Sequence, residues 1–286
     1  MRQATARAML ALLLTVGCGT SCGTAPDPAP TPVLLESADL RLPLFDYMHS
    51  PTQGLVVTNA YRALLGRCME RYGLARPAAT AARPLVGPRT WTERRYGLTE
   101  PADAEAHGYG LGKREPTRKA SDTPDLGPVA LAVITGNGAK QVGGRAVPSG
   151  GCQEESRRRL AMTPTDADPA LPQRLSQLSF QRSREDPRVR AAVHAWSTCM
   201  RSAGLDYATP FDPMADPAFR TGTPHAEIAT ARADLACKRR SNLVGVWFTV
   251  ESGYQRRLIA KNAPALEKSR TANQTMLRLA HQVLGP

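Results

Sequence analysis

Six cysteines stand in this chain of 286 residues, and their surroundings divide them into two kinds. Cys18 and Cys22 follow an apolar run near the N-terminus, whereas Cys68, Cys152, Cys199 and Cys237 are dispersed through the polar body of the chain. A thiol at the end of an apolar leader is a site for acylation. Four isolated thiols farther on can pair with each other or hold a metal ion, and the zinc alternative is disfavoured by the absence of a Cys-x-x-Cys pair and of a histidine at ligand spacing. A nucleophilic role for Cys152 after its two glycines has no further support in the sequence. The histidines, His49, His107, His194, His225 and His281, are scattered. None belongs to an HExxH helix, and the body of the chain after residue 40 holds no GxSxG elbow and no SxxK pair, so no catalytic residue is assigned and no cofactor is expected. A triad assembled from distant residues stays open, because such groups need not be neighbours in sequence. The stretch Thr135 to Lys140, TGNGAK, lacks the spacing of a phosphate loop: Gln141 follows the lysine where Ser or Thr is needed.

The leader sets the compartment. Arg2 and Arg7 precede an apolar stretch from Ala8 to Val16, and the stretch ends at Gly17-Cys18, the layout of a secretory signal over residues 1–17. A cysteine directly after a small residue at this point resembles a bacterial lipobox and implies that Cys18 is acylated and becomes the mature N-terminus. Thr15 and Val16 stand where that motif carries Leu and a small residue. Cleavage after Gly23-Thr24-Ala25 is the alternative, and export follows from either. Residues 23–33 carry Pro at 26, 28, 30 and 32, a spacing that favours polyproline II. At about 3.1 Å per residue the eleven residues reach roughly 30 Å, so residues 18–40 are expected to be lipid anchor and tether.

Export means that the four body cysteines are expected to form disulfides. Four cysteines allow three connectivities. The sequence also writes one motif twice, CMERYGL at 68–74 and CMRSAGL at 199–205, and each copy is followed by another cysteine on a helical stretch. The repeat favours Cys68 with Cys152 and Cys199 with Cys237.

The helices that carry these thiols have readable ends. Ser50-Pro51-Thr52-Gln53 is a capping box with Pro at the first helical position, and Asp186-Pro187 opens the second copy. Tyr61, Leu64, Leu65 and Cys68 recur at helical spacing, as do Val189, Val193, Trp196 and Met200. Gly73 and Gly204 then fit the left-handed stop of a Schellman ending, in which Leu74 meets Met69 and Leu205 meets Met200. The repeated motif is thus expected to be a helix stop beside half of a disulfide.

Elsewhere the pattern is mainly helical. TEPADAEAH closes at Gly108, Leu171 to Leu178 marks a further helix, Pro224 opens another, and residues 242–284 are helical with Pro264 as a kink or a break. Residues 129–134, VALAVI, are expected to be a strand, and Val142-Gly143-Gly144-Arg145 a hairpin turn. The fold class is therefore mainly α: a helical, disulfide-framed domain over residues 41–286, in two halves of 41–160 and 161–286, with a small hairpin and a long C-terminal helix or helix pair. The segment from Leu74 to Pro128 is rich in Pro, Gly, Arg and Thr, carries Trp91, Tyr96 and Tyr109, and is the first place to seek a binding site.

Lys and Arg outnumber Asp and Glu by 37 to 25, a formal charge of +12. The basic runs 157–159 and 238–240 read as solvated helix faces. Aromatic residues at 5% are too few for a base-stacking platform, and no nucleic-acid partner is expected. The positive charge suits an anionic cell-wall polymer, lipid headgroups or an envelope protein.

RLPLFDYMHS, the first CM helix, RYGLTEPADAEAHGYG, VPSGGC, DPRVRAAVHAWSTCM and NLVGVWFTVESGYQRRLIAKN together resemble a family of secreted actinobacterial lipoproteins with no assigned activity. The resemblance covers most of the chain after Leu40 and implies an envelope protein, with no catalytic residue to carry over. A non-catalytic binding or structural module tethered to the outer face of the membrane is the expected function, with a secreted hydrolase of dispersed site as the alternative.

Overall fold

Local end signals fix most of the helices. The computed structural model describes residues 31–74, 83–115, 126–163, 166–221 and 224–285. The leader, Cys18 and the prolines up to Pro30 lie outside the described residues. In chain order the helices are α1 (Pro51–Glu70), α2 (Pro101–His107), α3 (Pro128–Thr135), α4 (Gly151–Arg159), α5 (Leu171–Arg184), α6 (Pro187–Ser202), α7 (Ala218–Thr221), α8 (Pro224–Ser241) and α9 (Leu243–Leu284). Strands β1 (Gln141–Val142) and β2 (Arg145–Ala146) form one antiparallel hairpin across Gly143-Gly144.

At the start of α1, Ser50 Oγ accepts from the Gln53 amide at 3.1 Å and Gln53 Oε1 accepts from the Ser50 amide at 2.9 Å, the reciprocal capping box. Asp186 caps α6 through the Arg188 amide. Both CM helices end as their sequences predict. Gly73 and Gly204 have φ of 71° and 78°, and the Leu74 and Leu205 amides reach back to the Met69 and Met200 carbonyls at 3.3 and 3.0 Å.

The kinked helix α9 organises the core. Its first half buries Leu243, Val244, Trp247 and Val250 against Val189, Trp196 and Met200 of α6. Its second half buries Met276 and Ala280 against Val57, Ala60 and Leu64 of α1. Leu258 and Leu266 flank the kink and meet Leu44 and Leu175. Leu284, the last residue of α9, is exposed. Pro264 bends α9 rather than ending it: the backbone leaves helical values at Asn262 (φ −124°, ψ 16°), and the Asn262 side-chain amide donates to the Leu258 carbonyl one turn back.

Cys68 bonds to Cys152, joining α1 to α4, and Cys199 bonds to Cys237, joining α6 to α8. The Cα separations, 5.7 and 5.6 Å, lie in the usual range for a bridge. Two such bonds belong to a protein kept outside the reducing cytosol. Among the described residues no helix is long and apolar enough to cross a membrane.

Three expectations are corrected. VALAVI is helix α3, not a strand: Pro128 starts it, Gly136 (φ 73°) stops it, and Val133 and Ile134 pack on the Cys68–Cys152 bridge. An apolar run this short has no period to separate the two states. The folded unit begins at Thr31 rather than at residue 41: Asn242 holds the Leu34 amide and the Pro32 carbonyl, and Ser37 is fully buried. Finally, the run 238–240 is not wholly a solvated face, because Lys238 is buried.

Candidate functional site

The segment rich in Tyr and Gly turns inward. Residues 83–115 lie over α8 and α9, where Tyr96 and Tyr109 are buried and each gives its hydroxyl to a buried carboxylate. Glu251 on α9 accepts from Arg95 Nε at 2.9 Å, from Tyr96 at 3.0 Å, from Ser179 at 3.1 Å and from Gln255 at 3.2 Å. Burial works against the Arg95 charge, but the Glu251 carboxylate more than offsets it and holds the guanidinium above its ordinary value. Burial raises the Tyr96 phenol well above its ordinary value. Of the aromatic residues that marked this segment as the first place to seek a binding site, Tyr96 and Tyr109 are therefore packing core and Trp91 is half-buried.

A second buried centre joins α6 and α8. Asp234 accepts from Trp196 Nε1 at 2.8 Å and from Lys238 Nζ at 2.9 Å, and Lys238 also donates to the Leu98 carbonyl at 2.7 Å. Burial pushes the Asp234 carboxyl up and the Lys238 ammonium down, while their attraction opposes both changes. Every hydrogen-bond partner of the carboxylate is a donor, which is the arrangement of a charged pair. These groups are spent on one another, so they bind the strap of residues 83–115 to the helices.

The accessible candidate is a cleft of about 440 Å³ between α6, the segment after it and the first half of α9. The second CM motif positions it. Once Gly204 stops α6, the chain doubles back, and the Tyr207 carbonyl accepts from Ser197 Oγ at 2.7 Å. Asp212 gathers the Ala208 and Thr209 amides, and Tyr207 donates to Asp216 at 2.6 Å. Burial, reinforced by that carboxylate, raises the Tyr207 phenol. The Cys199–Cys237 bridge ties the base of α6 to α8.

The floor is apolar: Val189, Val193, Pro210, Phe211 and Trp247. Phe180 stacks on Trp247 with centroids 5.4 Å apart and planes at 5°, and Phe211 meets it edge-on at 5.9 Å. Arg95 lies 4.9 Å over the Phe180 ring, and the indole nitrogen donates to Ser183 at 2.9 Å. Trp247 is thus a core residue that also floors the cleft. Arg184, Arg190, Arg201 and His194 form the rim with Glu185 and Asp206.

This lining brings a histidine, two carboxylates and a serine to one cleft. Ser197 is nevertheless bonded as a bracket: its proton goes to the Tyr207 carbonyl, and Arg201 Nη1 donates to its oxygen at 2.8 Å. His107, His225 and His281 are exposed elsewhere, and His49 lies in a different cleft, bonded to the Asn273 carbonyl. Among the described residues no group of three or more His, Cys, Asp and Glu is placed to hold a metal ion. Comparison with protein-family models, with curated proteins and with solved structures yields no match.

Proposed function

We propose that this protein is a non-catalytic binding module of the cell envelope, held to the outer face of the membrane by a lipid on Cys18, and that the Trp247 cleft takes a single-chain amphiphile with an anionic head. The observation that carries the reading is the apolar floor of Val193, Phe211 and Trp247 beneath a rim with three guanidinium groups and two carboxylates. An acyl chain removes the half-buried Val193 and Phe211 from water, and a phosphate or carboxylate head meets arginine at the rim. The cleft has the size of an ordinary small-ligand site. A net charge of +12 raises the local concentration of anions. The bonding of Ser197 favours this reading over a hydrolase, which needs that hydroxyl free to attack. The sequence resemblance to secreted actinobacterial lipoproteins belongs to the same proposal.

The test is calorimetric titration with lysophosphatidylglycerol and with lysophosphatidylcholine of the same chain length, both below their micellar concentrations. The anionic lipid binds about ten-fold more tightly, and Arg190→Glu removes the difference. Equal affinity for the two lipids, or no binding of either, contradicts the reading.

A further inference from the structure

A second cleft lies on the other half of the molecule, against the C-terminal half of α9, and its chemistry is different. It consists of two depressions, of about 470 and 290 Å³, that share the residues 48–51, Trp91 and Asn273. The shared wall is built from three separate stretches of chain. His49 Nε2 donates to the Asn273 carbonyl at 2.7 Å, Trp91 Nε1 donates to the His49 carbonyl at 2.7 Å, and Asn273 Nδ2 donates to the Tyr47 carbonyl at 3.0 Å. These bonds fix the wall before any ligand arrives. They also consume the polar edge of Trp91, so its ring can offer only an apolar face.

Around that wall the lining mixes polar and apolar groups and is close to neutral, with Asp39 as an exposed carboxylate beside the paired charges. Arg41 pairs with Asp46, and Arg270 pairs with Glu267, so the two arginines bring no uncompensated charge. Gln53 and Gln274 present exposed amides, and Phe45 and Tyr47 are half-buried aromatics. Aromatic faces among amides and compensated charges suit a ligand whose flat face is apolar and whose edge is dense in hydroxyls. A pyranose ring has that form: its axial hydrogens lie on an aromatic ring, while its hydroxyls need donors and acceptors in the plane around it.

We infer that this paired cleft is a glycan-binding site, which takes consecutive sugar rings of a neutral or N-acetylated polysaccharide, one on each side of the His49–Trp91–Asn273 wall. Two depressions that share one wall call for a chain rather than a single sugar, because one ring fills only one of them. The inference stands on residues separate from the Trp247 cleft and does not depend on what binds there.

Titration calorimetry with cellotetraose and chitotetraose, and with glucose and N-acetylglucosamine as the matching single sugars, tests it. At least one tetramer binds, and about ten-fold more tightly than its monomer. Gln274→Trp, at an exposed position that projects bulk into the larger depression, weakens that binding about ten-fold while the circular dichroism and thermal midpoint stay those of the unaltered protein. Trp91→Phe, which keeps an aromatic face, retains more of the binding than Trp91→Ala. Failure of both tetramers to bind at about 1 mM overturns the inference, as does binding indifferent to Gln274→Trp. The lysolipid titration is read on a different cleft, so either proposal can fail alone.

Discussion

Lys238 Nζ lies 2.9 Å from Asp234 Oδ2 with both side chains fully buried, one helical turn apart on α8. Removing one partner of such a pair strands the other charge away from water. Lys238→Met is therefore expected to cost about 3–5 kcal/mol in urea unfolding. Asp234→Asn added to Lys238→Met returns part of that loss, since the amide oxygen still accepts from Trp196 and no charge is left buried. A double variant no more stable than Lys238→Met contradicts a charged pair.

Gly97 approaches the same lysine. With φ at 83°, a Cβ at this position would stand 2.8 Å from Lys238 Nζ and 2.5 Å from the Pro210 carbonyl oxygen. Gly204 has a similar φ but open space around it. Gly97→Ala is expected to cost clearly more than the 1–2 kcal/mol or so of the left-handed backbone alone, and Gly204→Ala only about that amount. Equal losses in thermal unfolding would show that the strap is not packed as described.

Glu93 makes stability depend on acid. Burial pushes its carboxyl up, but hydrogen bonds from Arg114 and Arg89 outweigh burial and hold it below its ordinary value. A depressed carboxylate contributes stability above its unfolded pKa and loses it as pH falls through the folded value. Glu93→Gln should thus cost about 2 kcal/mol at pH 7. The gap to the unaltered protein should narrow below about pH 4. A gap that stays constant from pH 7 to pH 3 contradicts this assignment.

Each disulfide closes a long stretch of chain, with separations of 84 and 38 residues. Loop-closure entropy gives about 4 kcal/mol for the shorter one and somewhat more for the longer. Cys199→Ser with Cys237→Ser is therefore expected to lower unfolding stability by about 4 kcal/mol and to loosen the base of α6, read as faster amide exchange at Trp196 and Met200. Unchanged exchange there would show that the bridge does not hold the cleft.

The anchor is checked by intact mass. Protein from the membrane fraction is expected to begin at Cys18 with a diacylglyceryl mass. A free N-terminus after Ala25 removes the anchor from the account and leaves the clefts untouched.

What the sequence disclosed was local. The capping box at Ser50, the Asp186 cap and both glycine stops need only residues within a turn of each other, and the structure has them all. The paired CM motif also gave the disulfide partners. VALAVI failed because six apolar residues in a row carry no period, and the deciding contacts come from Cys68 and Cys152. Lys238 looked like part of a solvated run. The available signal was Asp234 four residues earlier, which points to a pair but does not reveal burial beneath Leu98. The Trp247 cleft joins α5, α6, the chain after Gly204 and α9, and no spacing rule relates Val193 to Trp247. Trp91 lay in the segment singled out for binding, but its companions His49 and Asn273 are 42 and 182 positions away, so only the folded chain brings them together.

The central claim is that an acyl chain lies in the cleft floored by Trp247, over the half-buried Val193 and Phe211, and fluorescence quenching by a dibrominated acyl lysophosphatidylglycerol tests it most directly, since bromine quenches an indole only at short range. The account predicts quenching in the unaltered protein that is largely lost in Trp247→Phe, where Trp91 and Trp196 remain to report. Quenching of the same depth in Trp247→Phe, or none in the unaltered protein, contradicts it.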